Sequence, residues 1–155
     1  MPALTIDYEK LSNSNTFNDL QNLARDEHNE MMGNLHAFDP DWFSLQVHNI
    51  NGTFQILVAR VDGEAVGYYA WMMDFDLLVQ GTLIANMTAY YAKPAYPIAG
   101  LKLLDRAIAE YKRLGIKFAY FNHPPIGRGK KLGRLFERKG AELSQVVYRL
   151  DMRDS

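Results

Sequence analysis

Cysteine is absent from the 155-residue chain, which excludes disulfides, thiolate catalysis and cysteine-ligated zinc and fits a reducing compartment. An excess of one charge is also missing. The 17 basic and 18 acidic residues leave a net charge of −1, which argues against nucleic acid or an anionic membrane as partner. No apolar run approaches the roughly 18 residues of a membrane span, and the N-terminal MPALTIDYEKL lacks the basic-then-apolar pattern of a secretory signal. Low-complexity linkers and internal repeats are lacking as well. These absences leave one domain over residues 1–155, large enough to bury a core and expected to be soluble and cytoplasmic.

What is present is concentrated between residues 81 and 121. TLIANMTAYYA is rich in β-branched and aromatic residues, KPAYP interrupts it, IAGLKLLDRAIAEYKRL repeats apolar residues at helical spacing, and Gly115 ends the helix before IKFAYF. The stretch reads strand, turn, helix, strand. Such a crossover leaves the helix N-terminus beside the end of the first strand, where unpaired amides and a positive dipole suit a phosphate.

Around this unit the sequence predicts further elements. Residues 3–8 read as a strand, and Asn15 or Thr16 caps a helix over FNDLQNLARDEHNEMM whose Phe17, Leu20, Ala24, His28 and Met31 share a face. Residues 33–51 are less regular, with a turn at Asp39-Pro40 and with Trp42 and Phe43 anchoring the segment on the core. FQILVARV and AVGYYAWMM flank Asp62-Gly63-Glu64, a strong hairpin signal. Trp71 is expected in the core rather than at a dimer face. HPPIGRGKKLG leads to a short helix LGRLFERK ended by Gly140 and a last strand LSQVVYRLDM. The fold class is α/β: a mixed sheet, a central β-α-β unit and helices on both faces.

Five motifs stand in order: LARDEHNEMM, Asp39-Pro40-Asp41-Trp42, LVARVDGEAVGY, YYAKPAYPIAGLKLLDRA and LFERKGA. In their order and spacing the chain resembles the GCN5-related N-acetyltransferases (GNAT), in particular the small bacteriophage members, over nearly its whole length. The resemblance implies a GNAT-like, mostly antiparallel sheet and acetyl transfer from acetyl-CoA to an amine without a metal. It implies that residues 87–92 splay from the neighbouring strand to pair with the pantetheine arm, which places Tyr90, Tyr91 and Ala92 at the cofactor. It implies that residues 97–102 meet the pyrophosphate, with Ile98, Ala99, Gly100, Leu101 and Lys102 as further cofactor residues and Asn122 at the end of the next strand. The reaction then needs a base for the amine and an acid for the leaving thiolate.

The chain departs from the family pattern at three points. The pyrophosphate turn is two residues short and lacks its basic residue and first glycine, and Pro97 has no N–H. Thr88 stands where relatives often carry an acid, and Phe136 where many carry a tyrosine. The catalytic candidates are therefore His28, Glu27, Thr88 and His123. His28, with Glu27 and Glu30 beside it, can deprotonate an amine because imidazole titrates near neutrality, or it is an ordinary core or edge histidine. His123 lies where parallel strands end and ligands bind, but Pro124 and Pro125 suit a structural turn equally. The stretch GRGKKLGR, residues 127–134, carries three glycines and four cations and reads as an anion-binding or a solvated loop, without Walker spacing.

Three function classes follow. One is an N-acetyltransferase acting on a small-molecule amine, a protein amine or a modified nucleobase. The alternative is a non-catalytic GNAT-fold phage protein, a virion component or host-directed binding protein that has lost the cofactor turn. The third, a nucleic-acid enzyme or binder using the basic stretch, is opposed by the balanced charge. For a phage-encoded enzyme the location is the host cytoplasm, and a homodimer stays open.

Overall fold

Asp62 and Gly63 both take positive φ, 51° and 82°, the pair of left-handed residues that a two-residue type I′ hairpin demands. They join β2 (Phe54–Val61) to β3 (Glu64–Phe75) as the sequence predicts. The computed structural model describes residues 3–31, 38–124 and 129–153. The chain divides into two compact units, Met1–Asn122 and His123–Ser155.

The first unit holds a five-stranded sheet in the order β1-β2-β3-β4-β5. β1 (Leu4–Tyr8), β2, β3 and β4 (Leu83–Ala92) pair antiparallel, and β5 (Phe118–Tyr120) runs parallel to β4. The crossover between them is α3 (Pro97–Leu114), closed by Gly115 at φ 76° in the left-handed cap. This is the predicted β-α-β unit.

Helices cover both faces. α1 (Ser14–Met31) and α2 (Trp42–Ile50) pack over a cluster that includes Leu20, Leu23, Ile56, Val58, Tyr68, Ala70 and Tyr91. The alternate residues of the strands meet α3, where Tyr69 and Tyr111 share a buried hydrogen bond of 2.7 Å between hydroxyls. Trp71, fully buried, stands edge-on to Tyr111 with ring centroids 5.2 Å apart. Trp71 is thus a core residue, as expected.

Several local expectations are corrected. The cap of α1 is Asn13, whose Oδ1 accepts from the amides of Asn15 and Thr16 at 3.0 and 3.1 Å, two or three residues earlier than the sequence predicts. Of the segment read as irregular, residues 33–37 lie outside the described residues, and from Trp42 it is the helix α2. Asp41 starts that helix by accepting from the Ser44 amide at 3.1 Å. Trp42 does reach the core edge, its ring 5.5 Å from that of Phe17, whereas Phe43 is 78% exposed and anchors nothing. The side chain of Met31 also falls outside the described residues.

The second unit contains α4 (Gly129–Arg138), followed by Gly140 at φ 96°. Gly127 and Arg128 lie outside the described residues. The remainder of the supposed basic loop, residues 129–134, forms the first turns of α4, because lysine, leucine and arginine favour helix once a start is set. A Cβ on Gly129 would come within 2.2 Å of the Pro124 carbonyl oxygen, so the glycine permits that close approach. The expected last strand does not form: residues 141–152 carry no strand, and Tyr148 is 90% exposed. A strand exists through its ladder, and these residues have none.

Candidate functional site

β4 loses its parallel partner part-way along. Its ladder with β5 runs over Ile84, Ala85 and Asn86, opposite Phe118, Ala119 and Tyr120, and stops there. Asn122 Nδ2 then donates to the Met87 carbonyl at 2.9 Å and braces the point of departure. One residue further, the ladder with β3 skips Thr88: Trp71 pairs with Met87 and Ala70 with Ala89. Thr88 is therefore the extra residue of a β-bulge, exposed and without a cross-strand partner on either side. Bulges bend a strand and re-aim its groups, and they occur often beside active sites. The sequence marks the splayed stretch but not the bulge, since NMTAY holds neither glycine nor a turn residue.

The start of α3 follows the end of β4 through a turn in which the Tyr96 amide donates to the Lys93 carbonyl at 2.8 Å. Tyr96 provides no side-chain cap, and Pro97 occupies the first helical position. The amides of Ala99 and Gly100 both aim at the Tyr96 carbonyl, at 3.1 and 3.5 Å. That leaves the Ile98 amide, which by its place in the first turn has no intrahelical partner, to meet an anion together with the helix dipole. Ile98 is 63% exposed, and Leu101 and Lys102 are exposed beside it. Ala99 and Gly100 are buried instead. The Tyr90 hydroxyl donates to the Gly100 carbonyl, and burial pushes that phenol well above its ordinary range. A Cβ on Gly100 would sit 3.3 Å from the Ala92 Cβ. Tyr90, Ala92 and Gly100 thus form the joint between β4 and α3.

Tyr91 points to the opposite face. Its hydroxyl donates to Glu30 Oε1 of α1 at 2.7 Å. Tyr68, its register partner on β3, hydrogen-bonds Glu27. Burial pushes the Glu27 carboxyl up to about 7, the Tyr68 bond opposes the rise, and the Glu30 charge adds to it. Glu27 Oε2 is buried with no hydrogen-bond partner. Glu30 and Tyr91 also line an open groove of about 550 Å³, together with Asp26, Asn29, Lys93, Pro94 and Ala95; Glu27 itself is not part of its lining. Lys93 is turned to Glu64 at 2.9 Å, which leaves the groove acidic. A carboxyl raised toward neutrality is suited to accept a proton from an ammonium group, and Glu30 and Tyr91 link the Glu27 cluster to the groove.

No protein-family model matches the sequence, and no curated protein matches it significantly. Solved structures do. An aminoglycoside acetyltransferase from an uncultured soil metagenomic sample aligns over 97% of each chain at 17% identity with a TM-score of 0.73. A ribosomal-protein-alanine N-acetyltransferase from Brucella melitensis biovar Abortus 2308 aligns over 97% of this chain and 100% of its own, at 19% identity and a TM-score of 0.69. An aminoglycoside N-acetyltransferase solved in complex with CoA aligns over 99% and 97%, at 11% identity and a TM-score of 0.71. This chain has the GNAT fold. At these identities the likeness establishes the fold and leaves the chemistry to the residues.

Within the GNAT fold the predicted catalytic residues fall in different places. Thr88 is the bulge of the parted strand. Glu27 belongs to the carboxylate–tyrosine cluster, and its neighbour His28 does not share that position: its ring lies 5.5 Å from that of Phe38, over which Arg25 also stands at 5.5 Å. The signal for Glu27 was available in the sequence, because a carboxylate at 27 continues the apolar stripe of Leu20, Leu23 and Ala24. His123 belongs to the second unit. Its Nδ1 donates to the Pro124 carbonyl at 2.7 Å, and its ring packs beside Phe136 with centroids 6.4 Å apart. Gly133 makes room for that ring, since a Cβ there would come within 2.6 Å of His123 Nε2. Phe136, buried in α4, offers no hydroxyl.

Proposed function

We propose that the chain is an N-acetyltransferase that moves the acetyl group of acetyl-CoA onto a cationic small-molecule amine. The observation that carries the reading is the parting of β4 from β5 after Asn86, with the Thr88 bulge inside the parted stretch, in a fold whose solved neighbours include a CoA complex. The free backbone of residues 87–92 suits an extended amide-bearing arm, and the Ile98 amide suits its pyrophosphate. Asp26 and Glu30 attract the ammonium form of the acceptor into the groove. Glu27 takes the proton, and the freed amine nitrogen attacks the thioester carbonyl. As the carbon–sulfur bond breaks, the nitrogen gives up its second proton to the departing CoA thiolate, so that amide and CoA thiol are the products. A setting in the cytoplasm, that of a host if the gene is viral, fits such a reaction.

Binding of acetyl-CoA, measured calorimetrically on the wild type and on Ile98→Glu, tests this. The substitution is exposed and places a carboxylate at the second helical position, which favours the helix and repels a pyrophosphate. Micromolar binding that weakens tenfold or more in the variant supports the reading. No binding at millimolar acetyl-CoA overturns it and leaves the second reading, a non-catalytic GNAT-fold protein. Pro97 at the helix start and Phe136 in place of a hydroxyl favour that second reading.

A further inference from the structure

Glu27 is a carboxylate whose surroundings come from three elements. From its own helix α1, one turn on, Glu30 brings a like charge; from β3, Tyr68 brings a hydroxyl in hydrogen-bond contact; from β4, Tyr91 brings a second hydroxyl, bonded to Glu30. Tyr68 and Tyr91 are direct cross-strand partners, and in such pairs the side chains stand side by side. Both rings are buried, 7% and 5% exposed. Each carboxylate thus accepts from a hydroxyl of the same cross-strand tyrosine pair.

We propose that the hydroxyls of Tyr68 and Tyr91 are the positioning groups of Glu27, the first holding its carboxyl from β3 and the second holding the Glu30 charge against it from β4. The proposal rests on the reading of Glu27 as proton acceptor only for its catalytic meaning; the positioning itself is a property of the free protein. The two hydroxyls act with opposite sign. A hydroxyl that donates to a carboxylate stabilises the charged form, and a neighbouring carboxylate destabilises it. Removing the Tyr68 hydroxyl therefore favours the protonated acid. Removing the Tyr91 hydroxyl takes away the bond that draws the Glu30 carboxylate toward β4, weakens the hold on that like charge beside Glu27 and favours the ionised form of Glu27. A pair of tyrosines that merely filled space would move the titration in neither direction.

The test is ¹³C NMR titration of the carboxyl carbons in glutamate-labelled protein without substrate, with the Glu27 resonance identified by its loss in Glu27→Gln. Tyr68→Phe and Tyr91→Phe keep the rings, and thermal midpoints verify that both fold. Relative to wild type, the Glu27 midpoint moves up in Tyr68→Phe and down in Tyr91→Phe, each by roughly half a unit to one unit, as the worth of one hydrogen bond implies. Shifts of the same sign, or no shift in either folded variant, overturn the proposal. The pH profile of acetyl transfer then separates it from the functional reading. If the kinetic inflection follows the NMR midpoint in both variants, Glu27 is the proton acceptor as well. If the midpoints move and the kinetic inflection does not, the positioning stands and the catalytic assignment falls.

Discussion

Asn122 Nδ2 donates to the carbonyl of Met87 across 2.9 Å, at the residue where β4 ceases to pair with β5. The side chain takes over from the ladder for one more step and fixes where the two strands separate. Asn122→Asp keeps the shape and removes the donor, so a carboxylate faces the carbonyl. We expect a stability loss of about 1 kcal/mol, the worth of one part-buried hydrogen bond, together with several-fold weaker acetyl-CoA binding. Urea unfolding and calorimetry measure the two effects. Unchanged binding in a destabilised Asn122→Asp protein would show that the brace serves the fold and not the cleft.

Glu27 carries a cost that its removal should reveal. Its carboxyl is raised from 4.5 in the unfolded chain to about 7 in the folded one, so the folded state binds the proton more tightly. Stability from this group is highest below pH 4.5, falls as pH rises toward 7, and stays low above it. The difference of about 2.5 units corresponds to a cost on the order of 3 kcal/mol at pH 8. Glu27→Gln should therefore be the more stable protein at pH 8 while losing acetyl transfer, and should lose the slope between pH 4.5 and 7. Thermal melts across that range check it; a Glu27→Gln protein less stable than wild type at pH 8 would contradict the unpaired buried charge.

Glu9 behaves oppositely. Burial alone would raise its carboxyl, but hydrogen bonds from Arg60 and Thr16 and the Arg60 charge outweigh burial and hold it below 4.5. Arg60 Nε meets Glu9 Oε2 at 2.8 Å, its Nη1 meets Asp19 at 2.9 Å, and Thr16 Oγ1 donates to Glu9 Oε1 at 2.6 Å. The group ties the end of β1 to α1 and β2. Its contribution is full above pH 4.5 and is lost as pH falls through the lowered value. Glu9→Gln should cost about 1–2 kcal/mol at pH 7 and much less at pH 3. Equal destabilisation at both pH values would mean that shape, and not charge, is what matters there.

Much of the fold was legible because local chemistry and tertiary structure agree. Asp62-Gly63 could serve only as a tight turn, Gly115 could close only a helix, and the apolar period of residues 98–114 matched a helix packed on a sheet. The rest failed where a partner outside the window decides. Asn13 caps α1 from outside the apolar pattern, Asp41 nucleates a helix in a segment whose Pro and Asp read as a turn, and Thr88 is displaced by register rather than by its own conformational preference. At the site the sequence offered His28, with Glu27 and Glu30 beside it, because an imidazole is a common general base. The structure sets the two apart in a way the sequence does not show: Glu27 is buried against Tyr68, and the His28 ring lies beside Phe38.

Two glycines of the hairpin should respond to the same substitution for different reasons. Gly63 has φ 82° and nothing within 4 Å of a new Cβ, so Gly63→Ala meets backbone strain alone, about 1–2 kcal/mol. Gly67 has ordinary φ, but a Cβ there would lie 2.8 Å from the Tyr91 carbonyl oxygen, 3.1 Å from the Ala92 Cα and 3.1 Å from Leu103 Cδ1. Two of the three obstacles are backbone of β4 and cannot rotate aside, so Gly67→Ala must push β3 and β4 apart where Tyr91 and the Tyr90–Gly100 joint are held. We expect about 1–3 kcal/mol of destabilisation from overpacking. We also expect a loss of acetyl-CoA affinity that Gly63→Ala does not share. Unfolding midpoints compare the stabilities and calorimetry compares the binding. If both variants bind acetyl-CoA like the wild type, the close packing at Gly67 serves the sheet alone, and the cleft does not depend on the spacing of β3 and β4 at that point.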